Sequence, residues 1–127
     1  VTYHQGFFDN ETLLISKENQ KLLAEKNIPI VMSSHALSGV SRSFREKFGG
    51  ISIPEIIAES FRRISQGFKV AVEISIMAAD AGMISSKQDV VAVGGQSRGA
   101  DTALVLRPAH QNSFLDLKIK EVICFPS

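Results

Sequence analysis

Tryptophan is absent from the 127 residues, and cysteine occurs once, as Cys124. A lone cysteine excludes an internal disulfide framework and a cysteine-rich zinc site. Neither sign of charge dominates: 14 Lys+Arg stand against 13 Asp+Glu, a formal net charge of +1, and no basic run appears. Electrostatic capture by nucleic acid or by an anionic membrane is therefore not expected. Long apolar runs are missing too. The longest, residues 70–83, is broken by Glu73 and Asp80 and falls short of the about 20 residues that span a bilayer. With no disulfide pair and no recognisable secretory signal in these residues, the expected location is cytoplasmic.

What is present points to a folded domain. Hydrophobic residues make up 44% of the chain and charged residues 21%, too apolar and too nearly neutral for a disordered chain. The length fits one α/β domain over residues 1–127, and chains of this size bury roughly two thirds of their surface. No repeat, low-complexity segment or linker divides it. The opening residues, Val1 to His4, read as a strand end, so a preceding segment is expected.

Hydrophobic periodicity gives the element order. Residues 11–26 carry Leu14, Ile15, Leu22 and Leu23 at helical spacing, with Asp9 and Asn10 as candidate caps and Asn27 as a stop. Ile30, Val31 and Met32 form a short buried strand. Residues 36–50 read as a short helix or a loop. Ser52 caps a helix that begins at Pro54 and ends at Gly67, with Glu55 in its first turn. Residues 68–82 alternate like a strand at Val70, Val72, Ile74 and Ile76, yet their length and the Gly82 stop favour a buried helix. Strands are expected at 89–93, 102–106 and 119–124. This order predicts a three-layer α/β fold: a mostly parallel sheet with helices on both faces and an antiparallel strand near the end.

In such a sheet, ligands bind where the C-terminal ends of the strands meet. The first strand ends at His4, Gln5 and Gly6, the second at Ser33, Ser34 and His35, and the third at Gly94, Gly95, Gln96, Ser97, Arg98 and Gly99. The segment 94–102 is the sharpest feature. Its glycines can turn backbone N–H groups toward one anion, Ser97 and Thr102 add hydroxyls, and Arg98 adds a planar fork. It is neither a P-loop nor a dinucleotide fingerprint. The plain alternative is a Gly-rich connection with Arg98 in solvent. His4 and His35 lack an obvious third metal ligand, so no metal site is assigned. Hydrogen bonding or ring stacking suits them better, beside the plain reading of surface histidines.

Glu73 and Asp80 sit in the most apolar segment. A buried carboxylate needs a partner; Lys69, four residues before Glu73, is placed to pair with it. The reading favoured over catalysis is a buried acid that accepts from a neighbouring loop's N–H groups. Five serines lie in residues 33–43, but no nucleophile elbow or triad accompanies them. His110 is given no role.

Four stretches resemble one family. They are Val1-Thr2-Tyr3-His4; Ser33-Ser34-His35-Ala36-Leu37-Ser38-Gly39-Val40; Val72-Glu73-Ile74 with Met77-Ala78-Ala79-Asp80-Ala81-Gly82; and Val93-Gly94-Gly95 with Arg98-Gly99-Ala100-Asp101-Thr102-Ala103-Leu104-Val105. Together they are similar to small prokaryotic, largely archaeal proteins that look like the C-terminal domain of pyruvate kinase standing alone. The resemblance implies a longer N-terminus bearing a phosphate loop, so that this chain matches the C-terminal two thirds of a longer domain. It also implies flavin mononucleotide (FMN) as cofactor. The matching positions are His4, Gly6, Ser34, His35, Gly94, Gly95, Ser97, Arg98, Gly99 and Thr102, which would then hold the ring and ribityl side more than the phosphate. The expected function is binding of FMN or another phosphorylated small molecule, with a flavin-dependent oxidoreductase or a sugar-phosphate-sensing regulatory module as alternatives. No nucleic-acid or membrane partner is expected, and a homo-oligomer is left open.

Overall fold

A computed structural model describes residues 1–4, 14–96 and 99–126. Two short strands, β1 (Thr2–Tyr3) and β2 (Val31–Met32), pair in parallel. Between them lies α1 (Lys17–Glu25), capped by Ser16, whose hydroxyl accepts from the Asn19 N–H at 3.2 Å. The cap expected at Asp9 and Asn10 lies outside the described residues. Leu14 and Ile15, expected on this helix, precede it. Its end is the expected one: Asn27 turns to φ 54°. The Asn27 and Ile28 N–H groups then bond back to Ala24 and Leu23, a Schellman closure.

Residues 36–50 hold a helix, α2 (Val40–Phe48), which follows Gly39 and stops at Gly49. Next comes α3 (Ile53–Arg62). The Glu55 carboxylate reaches back to accept from the Ser52 N–H at 3.1 Å, the reciprocal half of a capping box. This helix ends at Arg62, not at Gly67. The next helix, α4 (Gln66–Asp80), is capped by Ser65, whose hydroxyl accepts from the Phe68 N–H at 2.9 Å. Helix therefore prevails over strand in the ambiguous segment. Gly82, at φ 71°, terminates it, with Met83 and Gly82 bonded back to Ala78 and Ala79.

The remaining strands are β3 (Val90–Gln96), β4 (Gly99–Arg107) and β5 (Lys118–Cys124), with a 3-10 turn at Gln111–Asp116 before the last. They form one antiparallel sheet in the order β3-β4-β5. This corrects the expected three-layer, mostly parallel sheet: among the described residues parallel pairing is confined to two residues each of β1 and β2, in a separate sheet. The reason is local. Residues 94–102 read as a loop, but Gly94 pairs with Thr102 and Gln96 with Gly99. Only two residues separate these strands, and parallel neighbours need a crossover of a dozen residues or more.

The core lies where α4 crosses β3 and β4. Phe68, Ala71, Val72 and Ile76 of the helix pack on Ala92, Leu104 and Leu106, each large side chain worth roughly 1.5–3 kcal/mol of burial. Two glycines let the layers approach. A Cβ on Gly94 would sit 2.7 Å from the Ala71 nitrogen. One on Gly67 would sit 2.8 Å from the Thr102 Cβ. Gly67, expected to end a helix, instead occupies the first turn of α4 as a contact point. Among the described residues no helix is long and apolar enough to cross a membrane.

Candidate functional site

A cavity of about 870 Å³ opens between α2, α3, α4 and the end of the β1–β2 ribbon. Its position follows from the helices. On α4, residues 67, 68, 71 and 72 face the sheet. Positions offset from them, including Lys69, Val70, Glu73, Ile74 and Met77, line the cavity. Ile51 and Ile56 add apolar surface from the α3 side.

The polar lining is basic. Arg42, Arg45, Arg62, Arg63 and Lys69 supply five cations against three carboxylates, Glu55, Glu59 and Glu73. Arg62 bonds Glu59 at 2.5 Å and Gln66 at 2.7 Å. Arg45 pairs with Glu55. Arg63 also reaches Glu59, and Arg42 pairs with Glu46 just outside the lining, so these contacts fix the guanidinium groups along the wall and leave one positive charge in excess. Glu55 is held below its ordinary value, chiefly by the Ser52 backbone N–H, so it stays ionised as a partner of Arg45.

Deepest is the ion pair between Lys69 and Glu73, 2.5 Å apart, with side chains 5% and 2% exposed. The other Glu73 oxygen accepts from the Leu37 N–H at 2.9 Å. Both sequence expectations for Glu73, the lysine partner and the loop N–H, are met. Asp80 acts similarly at the far end of α4. It accepts from Gln111 through the backbone at 3.3 Å and through the side-chain amide at 2.8 Å, and lies 3.1 Å from His110 Nδ1. His110, given no role from sequence, thus helps hold the turn that leads to β5.

His35 lines the cavity and its ring meets that of His4 edge-on, centroids 5.0 Å apart. Burial holds His35 below its ordinary 6.5; the Glu73 carboxylate opposes that shift, and Lys69, His4 and Arg42 reinforce it. Ser34 is exposed on the same turn. His4 and His35 are thus in contact at the ends of the first two strands, while of His4, Ser34 and His35 only His35 lines the cavity.

The third strand end is placed differently. Gly94, Gly95, Gly99 and Thr102 belong to the β3–β4 hairpin, which lies against the first turns of α4. None of them lines the cavity. Thr102 is 1% exposed. Its hydroxyl is 3.1 Å from the Ser65 hydroxyl and donates to Asp101 at 2.8 Å, tying β4 to the cap of α4. Gly6, Ser97 and Arg98 lie outside the described residues. Among the described residues no group of three or more His, Cys, Asp or Glu is placed to hold a metal ion.

Sequence reasoning missed Arg62, Arg63 and Glu59. Their i,i+3 and i,i+4 spacing is visible, but that pattern also marks any solvated helix face, and only the packing of α3 over α4 shows what it faces. No protein-family model matches the chain.

Proposed function

We propose that this domain binds FMN or another phosphorylated small molecule, in the cavity beside the β1–β2 ribbon. The observation that carries this reading is the cavity itself: about 870 Å³, an apolar floor of Val70, Ile74 and Met77, and an excess of fixed cations on its wall. Ligand pockets commonly fall between about 300 and 1,000 Å³ and combine apolar surface with a few placed polar groups. Val70, Ile74 and Met77 suit a flat or hydrocarbon portion. The guanidinium groups suit a phosphate, which they hold through charge-assisted bonds. The resemblance to stand-alone pyruvate kinase C-terminal-like proteins supplies FMN as the candidate, and His35, one of the positions it implies, lines this cavity.

The test is a thermal melt with FMN and, separately, with a hexose bisphosphate. Binding at a hundredfold excess over the Kd adds about 2.7 kcal/mol to the stability and raises Tm accordingly. FMN is expected to do so, with quenching of its fluorescence. Stabilisation by the sugar phosphate alone assigns the regulatory alternative. A melt that neither compound moves rejects the reading.

A further inference from the structure

Lys69 is a buried ammonium with spare hydrogen-bonding capacity. Its residue is 4% exposed, and among the described residues its hydrogen-bond partner is Glu73 Oε2. An ammonium carries three N–H bonds. One of them goes to Glu73 Oε2, while the other Glu73 oxygen accepts from the Leu37 N–H. Buried donors without acceptors are costly, and Lys69 borders the cavity. Phosphate oxygens are strong acceptors for such N–H groups.

The charge on the cavity wall favours an anion: Lys69, Arg42 and Arg45 pair with Glu73, Glu46 and Glu55, while Arg62 and Arg63 share Glu59 alone. We propose that Lys69 is the anion-contacting residue of this cavity and makes it select phosphate monoesters over their uncharged parent alcohols. The inference rests on the ligand reading above and adds to it a residue and a selectivity. Glu73 is then a positioning residue. It anchors the lysine to α4 and joins it to the turn after β2 through Leu37.

Paired fluorescence titrations with FMN and riboflavin, which differ by the phosphate, test this. The unmutated protein is expected to bind FMN about 10- to 100-fold more tightly, the worth of one hydrogen bond to a charged group. The double variant Lys69→Met/Glu73→Gln removes both charges and keeps an acceptor for Leu37. It is expected to lose the preference and to bind FMN and riboflavin alike. A folded double variant that keeps its preference for FMN overturns the assignment. Should that variant fail to fold, the ε-carbon resonance of Lys69 in [ε-13C]lysine-labelled wild-type protein decides: it shifts with FMN and not with riboflavin if the inference holds, and its standing still overturns it. Wild-type protein that binds both flavins equally rejects the Lys69 role but spares the ligand reading; binding neither rejects both.

Discussion

Replacing Gly94 with alanine separates two accounts of the glycine-rich segment. If the glycines form an anion nest, an added methyl weakens ligand binding and barely touches stability. If Gly94 is where β3 meets α4, stability falls. The added Cβ would lie 2.7 Å from the Ala71 nitrogen and 3.2 Å from its Cα, and would also crowd the Gly67 carbonyl. All three are backbone atoms, so no side chain can rotate away and the helix must shift. Overpacking costs typically 1–3 kcal/mol, and the rigid neighbours place this case near about 3. Gly94 is not among the glycines with positive φ, so alanine regains roughly 0.4–1 kcal/mol by restricting the unfolded chain. The net loss is about 2 kcal/mol. An unfolding entropy of about 2.1 cal/mol/K per residue converts this, for 127 residues, to a fall in Tm of roughly 7 °C. Urea and thermal melts followed by far-UV circular dichroism read it directly. A variant as stable as the parent, or more stable, refutes the close-approach argument.

Other consequences are open to measurement. Ser65→Ala removes the cap of α4 and one partner of Thr102, and is expected to cost about 1–2 kcal/mol in a urea melt. Lys69→Met alone strands a buried carboxylate and should cost about 3–5 kcal/mol, whereas Lys69→Met/Glu73→Gln should cost much less; equal losses would deny the coupling. His35 is favoured neutral in the fold, so the unfolded chain binds more protons below its ordinary pKa. Its share of stability is full above about pH 6.5 and is lost as pH falls through the depressed folded value. The slope of stability against pH in that window should flatten in His35→Gln, and an unaltered slope contradicts the burial argument.

Much of the local structure is readable in the residues, and little of its assembly is. Helix ends at Asn27 and Gly82 are legible because αL termination has a narrow residue preference. The Lys69–Glu73 pair is legible because i,i+4 contact follows from helix geometry alone. The sheet is not. Glycines at 94, 95 and 99 suit a loop, a bulge or a close approach equally well, and the structure uses Gly95 at a register shift and Gly94 against Ala71. Reading them as a strand end placed β3 beside the first two strands in one mostly parallel sheet, whereas it pairs antiparallel with β4 in a separate one. His4 and His35 were found because they follow two strands that are parallel. The basic wall from α3 was not, since helix-on-helix placement is a tertiary fact with no signature in the spacing of Glu59, Arg62 and Arg63.

Methionine methyl groups give the most direct test of where the ligand sits. Met77 is 2% exposed and lines the cavity, while Met32 and Met83 are 61% and 53% exposed and do not. In protein labelled at the methionine methyl carbons, added FMN should move the Met77 resonance and leave the other two in place. A Met77 signal that stays fixed while FMN binds would contradict the assignment of this cavity as the binding site.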